Sequence, residues 1–149
     1  MRTIVIALCV LTLSLIGETA HAGNVLIKAE EASLPAPPTT ASVTLVTRGI
    51  TRKPNVILVT PGASVSSPFN LQFKFEAHGG SHIKPGTFRM IYMRTPNVDL
   101  TARVKPFVTA AGVDMAGAEV PPGQHIIRVT ISDSENREGS AVFTLNVLK

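Results

Sequence analysis

The closing stretch of the chain, residues 121–149 (PPGQHIIRVTISDSENREGSAVFTLNVLK), decides the fold. Apolar and polar residues alternate in two runs, 125–132 and 140–148, and a polar turn separates the runs at 133–139. A Pro-Pro-Gly corner leads into the first run. Alternation with a period of two is typical of a half-buried strand, and a short polar turn joins antiparallel neighbours. The stretch therefore predicts a closing antiparallel β-hairpin.

Upstream residues supply the other strands. The clearest is 69–77 (FNLQFKFEA), where four large apolar side chains fall on one face and polar ones on the other. Further strands are predicted at 56–60, at 87–94 and around Ala118. Asp99 either caps a helical turn over 100–104, or that segment is an edge strand ended by Pro106. About seven short strands with turn signals between them predict an all-β, antiparallel β-sandwich.

The residues before the sandwich divide into two segments. Residues 1–22 have a basic start, an apolar core at 4–16 and an Ala-x-Ala ending, which is typical of a secretory signal peptide cleaved after Ala22. Residues 23–47 contain a Pro-rich piece and are predicted to be a flexible lead. The sandwich is expected to occupy 48–149. We expect a periplasmic or secreted protein without a membrane span after signal cleavage.

Composition excludes several classes of function. The net charge is +4, and the basic residues are scattered, so no nucleic-acid footprint is expected. The only cysteine, Cys9, lies in the signal segment, so disulfides, thiol chemistry and cysteine-based metal sites are not expected. Aromatic residues make up 5% of the chain and tryptophan is absent, which argues against aromatic ligand platforms.

A family resemblance covers roughly residues 55–148. The stretches TPGASVSSPFNLQFKF (60–75) and VPPGQHIIRVTISDSENREGSAVFTLNV (120–147) resemble the bacterial immunoglobulin-like domains of exported proteins. The resemblance implies an immunoglobulin-like sandwich that serves in adhesion, as a spacer or in binding. Fold-level analogy of this kind does not identify a partner. The positions that match are Pro61, Gly62, Val65, Pro68, Pro121, Gly123, His125, Asp133 and Gly139.

The layout is also similar to that of the periplasmic copper-resistance carriers. That resemblance implies Cu(II) ligands at a mature N-terminal histidine and at an Asp-x-His pair in the terminal hairpin. Here cleavage after Ala22 leaves Gly23 first. Asp133 stands at the aspartate position, but Glu135 occupies the place of the second histidine. Two of the three ligands of those carriers are therefore missing.

Three histidines are the candidate metal ligands, for copper or zinc. His78 and His82 flank a Gly-Gly pair in a predicted loop, and His125 begins a strand after the Pro-Pro-Gly corner. They could form one site only if that loop and that corner lie at the same end of the sandwich. The alternatives are two solvated loop histidines and a His125 that hydrogen-bonds to the backbone of the turn.

Two other chemistries were weighed from the residues. Asp133, Glu135, Asn136 and Glu138 place oxygen ligands of the type that Ca²⁺ prefers in one turn, but their spacing differs from that of an EF-hand loop. A solvated hairpin turn is the alternative. The sequence has no Gly-x-Ser-x-Gly, His-Glu-x-x-His or phosphate-loop motif, and no cofactor is expected.

The residues therefore lead to two expectations for function. The first is an exported, non-catalytic immunoglobulin-like module that binds or scaffolds an envelope or extracellular protein, through a sheet edge or an end-loop cluster. The second is a periplasmic copper or zinc carrier that uses the loop histidines. The residues do not identify the partner.

Overall fold

The computed structural model describes residues 23–37 and 52–149. The predicted signal peptide, the end of the predicted flexible lead and the boundary at residue 48 lie outside the described residues. Within them the chain forms nine strands, of which three are only two residues long. The elements are β1 (Asn24–Val25), α1 (Ala29–Ala32), β2 (Asn55–Thr60), β3 (Val65–Ser66), β4 (Phe69–Glu76), β5 (Ile83–Tyr92), β6 (Val98–Asp99), α2 (Thr101–Val104), a 3₁₀ turn (Lys105–Phe107), β7 (Gly112–Glu119), β8 (Gly123–Asp133) and β9 (Glu138–Leu148).

Two sheets pack face to face, so the predicted β-sandwich is confirmed. One sheet has the order β1-β7-β4-β2 and the other β3-β9-β8-β5-β6. The pairs between the longer strands are antiparallel, whereas the two-residue strands β1 and β3 pair in parallel with β7 and β9. The closing hairpin is β8–β9, in continuous register from Gly123 opposite Val147 to Ser132 opposite Glu138.

The core forms because alternate residues of each long strand point between the sheets. In β4, the predicted apolar face is the buried one: Phe69, Leu71, Phe73 and Phe75 are each less than 10% exposed. On the other sheet β8 contributes Ile127, Val129 and Ile131, which are fully buried. Since the strand period is two, each inward apolar residue leaves a polar neighbour on the outer face.

The strand order matches an immunoglobulin-type sandwich with one substitution. After β2 the chain leaves the four-stranded sheet at Pro61 and joins the other sheet as β3, beside β9. The strands β2, β4 and β7 then correspond to A, B and E of such a sandwich, and β5, β8 and β9 to C, F and G. The place of strand D beside β7 is taken by β1, which comes from the lead.

The described part of the lead is folded, which corrects the prediction of a flexible segment for residues 23–37. Leu26 and Ile27 are 0% and 2% exposed and belong to the core. Their backbone N–H groups both donate to the Glu119 carbonyl, at 3.0 and 3.3 Å. The Pro-rich composition of the segment does not indicate that it contributes two residues to the core.

An ion pair holds the lead to the segment that follows β6. Both terminal nitrogens of Arg103 donate to the Glu31 carboxylate, and Nη1 also donates to the Leu26 carbonyl at 2.8 Å. The hydrogen bond from Arg103 lowers the pKa of Glu31, with burial acting in the opposite direction. Because the pair is two-pronged and partly buried, it fixes the orientation of α1 as well as its distance.

Segment 100–104 adopts the helical alternative rather than the edge strand. Leu100 is the N-cap residue of α2, and Asp99, the last residue of β6, accepts the Thr101 N–H on Oδ1 at 2.8 Å. Within residues 23–37 and 52–149, no helix is long and apolar enough to cross a membrane.

Candidate functional site

Asp133 organises one end of the sandwich. It ends β8 and is fully buried, and its carboxylate accepts four hydrogen bonds. Burial would raise the pKa of this carboxyl, but the donors outweigh burial and lower the pKa to about 2. The donors are the backbone N–H groups of Glu135 and Arg137 on Oδ1, and Arg137 Nε with the Ser81 hydroxyl on Oδ2.

The arrangement around Asp133 is structural, since its carboxylate closes the β8–β9 turn. A Ca²⁺ or copper ion would have to replace donors that already occupy both oxygens. Arg137 also donates to the His78 carbonyl at 3.2 Å and pairs with Glu135 at 3.1 Å. Glu135 and Glu138 are exposed. The turn therefore matches the hairpin alternative, and we derive no cation site from it.

His78 and His82 lie in the loop that packs on this turn. The Ser81 hydroxyl donates to the His78 carbonyl at 2.8 Å, and the Ser134 N–H donates to the His82 carbonyl at 2.8 Å. His82 is exposed and His78 is half-buried. Both histidines are thus presented by the loop, and metal binding by them stays a prediction.

His125 lies at the opposite end of β8 and is 1% exposed. Its Nε2 is 2.8 Å from the Pro121 carbonyl oxygen, and its Nδ1 is 2.9 Å from the Tyr92 hydroxyl. The carbonyl can only accept, so Nε2 carries the proton and Nδ1 accepts from Tyr92. Arg94 Nε donates to the same hydroxyl at 2.6 Å. Burial, with Arg94 nearby, lowers the pKa of His125.

The structure does not bring the three candidate histidines together. His125 lies eight positions before Asp133 along β8, and Asp133 is the residue that anchors the loop of His78 and His82. At a rise of roughly 3.3 Å per residue, these residues place His125 about 26 Å away. His125 is the backbone-bonded turn residue of the alternative interpretation. In the described part of the chain no group of three potential metal-ligating side chains is found.

The side of the sandwich formed by β2 is the strongest candidate interaction surface. In the described chain β2 is the last strand of its sheet, so one of its backbone edges has no neighbouring strand. Ile57 and Val59 project from its outer face and are 40% and 53% exposed. The six residues NVILVT carry no charge and are bounded by Pro54 and Pro61.

Natural edge strands are usually protected by a charged side chain, a proline or a bulge. In β2 the prolines lie only at the ends, and a register shift occurs between Leu58 and Thr60. The stretch from Asn55 to Leu58 pairs regularly with β4 and has no such protection within it. Unprotected aliphatic edges of this kind accept an added strand from another polypeptide.

An open hollow of about 450 Å³ adjoins this strand on the outer face of the four-stranded sheet. Val59, Gln72, Lys74 and Asp114 are among the residues that line it. Gln72 Nε2 donates to Asp114 Oδ1 at 3.1 Å across the hollow. The hollow gives an incoming side chain a place beside Val59.

Comparisons with known proteins identify no family. No protein-family model and no curated protein sequence matches the chain. Among solved structures, the chain is similar to CopC from Methylosinus trichosporium OB3b, with 13% identity and a TM-score of 0.41. The match covers 62% of this chain and 93% of that one. At this TM-score the likeness supports no conclusion about function.

The sequence predicted a sheet edge or an end-loop cluster as the interaction surface but did not indicate which edge. The signal was present in the predicted strand 56–60, which has no charged residue and lies between Pro54 and Pro61. That Ile57 and Val59 face solvent follows only from the sheet order, because an apolar run is equally typical of a strand buried on both faces.

Proposed function

We propose that this chain is an exported, non-catalytic immunoglobulin-like module that binds an extended segment of an envelope or extracellular protein along β2. The observation that carries the proposal is the open, uncharged edge of β2 with Ile57 and Val59 exposed beside it. Backbone hydrogen bonds to the edge would supply affinity, and the two aliphatic side chains with the adjoining hollow would select alternate residues of the partner.

The buried ionisable groups support a non-catalytic role. Asp133 and His125 are the buried charged or polar side chains of the described residues, and both have their polar atoms engaged within the domain. A catalytic acid or base needs access to a substrate proton. Export rests on the Ala-x-Ala signal predicted from residues 1–22.

The first experiment changes the charge of the edge. Ile57→Lys and Val59→Lys together should reduce capture of the partner from envelope extract at least tenfold, because two ammonium groups must then be desolvated at the contact. Val142→Lys is the matched control, since Val142 is 47% exposed but lies on β9 of the other sheet. All variants should melt like the parent chain, as surface substitutions usually change stability by less than about 0.5 kcal/mol.

A second measurement tests the mode of binding. A photo-crosslinker at Ile57 identifies the partner segment, and the corresponding peptide is then added to the protein. Amide hydrogen exchange should slow along β2 if the peptide adds a strand, because free N–H groups of the edge become paired. Capture that is equal for the double variant and the parent, or protection confined to the His78–His82 loop, would contradict the proposal.

A further inference from the structure

Gly23 lies directly against the side chain of Glu119. A Cβ added to Gly23 would be 1.5 Å from Glu119 Oε1, which places that oxygen within about 3 Å of the Gly23 Cα. The nitrogen of Gly23 is one bond further, so it lies within about 4.5 Å of a carboxylate oxygen. The four ion pairs of the described residues do not include Glu119.

Glu119 is also the residue on which the lead docks. Val25 of β1 lies opposite Glu119 in the parallel pair with β7, and Asn24 lies opposite Ala118. The Glu119 carbonyl accepts the N–H groups of Leu26 and Ile27, and the Asn24 side chain donates to the Ala116 carbonyl at 2.8 Å. The backbone of Glu119 thus holds the start of the lead, while its side chain faces Gly23.

We propose that cleavage between Ala22 and Gly23 creates an ammonium group that pairs with the Glu119 carboxylate and locks the lead onto β7. The proposal rests on the cleavage predicted from the sequence and is independent of the proposed function. In the cleavage, water adds across the peptide bond, so that Ala22 becomes a carboxylate and the Gly23 nitrogen becomes an ammonium at neutral pH. A neutral amide therefore becomes a cation within reach of an anion.

The ion pair between the Gly23 ammonium and Glu119 would hold β1 on β7 at the edge of the four-stranded sheet. Without β1, the end of β7 at Ala118 and Glu119 would be an open edge, and Leu26 and Ile27 would leave the core. An open edge is a site of unwanted strand pairing. Processing would thus keep the edge of β7 covered by β1 in the exported form.

Among the charged residues near Gly23, Glu119 is the one whose side chain lies against it. The groove of about 490 Å³ beside β1 is also lined by Lys28 and Glu30. Lys28 donates its backbone N–H to Glu31, and both Lys28 and Glu30 are exposed. Glu30 belongs to α1, seven residues along the chain from Gly23, and it serves as the matched control.

The experiment is a double-mutant cycle on the exported chain. The full chain is expressed with export, and the mass of the product must correspond to a start at Gly23. A second form carries a serine inserted between Ala22 and Gly23, and its mass must show that the serine is retained. Each form is combined with Glu119→Gln and with Glu30→Gln, and the melting temperatures are compared.

In the form that begins at Gly23, Glu119→Gln should lower the melting temperature by on the order of 3 °C. In the serine-extended form the same substitution should have no effect, because no ammonium faces residue 119. The Leu26 and Ile27 amides should exchange faster in both altered proteins.

Three outcomes would overturn the proposal. They are a product that starts elsewhere than Gly23, an effect of Glu119→Gln that is equal in both forms, and an effect of Glu30→Gln as dependent on the N-terminus as that of Glu119→Gln. The double-mutant cycle cancels the general destabilisation caused by each change alone, since it measures only the coupling free energy between the two changes.

Discussion

At the scale of one residue, the role of His125 in the structure differs from the role that the sequence suggests. In the sequence it is one of three candidate ligands, but in the fold both of its ring nitrogens are used by Tyr92 and Pro121. The bond from Nε2 to a carbonyl four residues upstream resembles the tyrosine corner of immunoglobulin sandwiches, where a hydroxyl bonds back to the backbone in the same way. His125 thus anchors the corner that leads into β8.

The protonation of His125 predicts a pH dependence of stability. Burial lowers the pKa of His125, so the unfolded chain binds this proton more readily than the folded one. The contribution of neutral His125 is therefore complete above the unfolded value of about 6.5 and is lost as the pH falls below it. Urea unfolding of the parent chain between pH 7.5 and 5 should show stability falling by at most about 1.4 kcal/mol per pH unit from this group.

Two substitutions separate His125 from the other histidines. His125→Gln should weaken the dependence on pH while lowering stability at pH 7.5, because the bonds to Tyr92 and Pro121 are lost. His82→Gln, which changes an exposed side chain, should leave the dependence as it is in the parent. An unchanged slope in His125→Gln would show that this histidine is not the group that titrates.

At the scale of one element, the lead has a structural role that its composition does not predict. Two of its apolar residues, Leu26 and Ile27, are part of the core beside β7, and Arg103 holds α1 through Glu31. A short segment of this kind has little helical or strand stability of its own, since the first turn fixes several backbone dihedral angles and gains only one hydrogen bond. Its structure therefore depends on the surface that receives it.

Leu26→Ala tests the lead as a folded part of the domain. Because the Leu26 side chain is fully buried, its truncation should lower the free energy of unfolding by about 2–5 kcal/mol, as other large-to-small core substitutions do. Val25→Ala is the matched control, because Val25 is adjacent and 45% exposed, and it should cost much less. Denaturant unfolding measures both. Equal, small losses would mean that the lead is not part of the cooperative unit.

At the scale of the whole molecule, the two sheets meet most closely where β2 begins and β9 begins. A Cβ on Gly139 would be 1.8 Å from the Pro54 carbonyl oxygen, so the backbone of one sheet lies directly on the backbone of the other. No side chain fits between them. This contact positions β2, and with it the open edge that carries the proposed binding.

Gly139→Ala should therefore separate the sheets locally and lower the free energy of unfolding by roughly 1–3 kcal/mol, the usual cost of overpacking. Gly86→Ala is the control, since a Cβ at that position meets nothing within 4 Å. The control should be neutral or slightly stabilising, because alanine restricts the unfolded chain. Thermal unfolding distinguishes the two, and a neutral Gly139→Ala would contradict the close contact.

The sequence by itself determined the features that depend on local pattern. The alternation in β4, β8 and β9 sets which residues face inward, because the observed register places most of their apolar side chains toward the core and leaves Val142 and Leu148 exposed. The same alternation predicted the two-layer architecture and the closing hairpin. For 100–104 the sequence left two alternatives, a helical turn or an edge strand, and the structure has the helical turn.

Only the tertiary structure decided where distant residues meet. His125 lies at the opposite end of β8 from the His78–His82 loop, and Glu119 faces Gly23. Ile57 and Val59 of β2 are exposed. All three arrangements follow from the order of the strands. Contacts of this kind join residues far apart in the chain, and no local pattern encodes them. For that reason the fold could be predicted from alternation, whereas the candidate site required the sheet order.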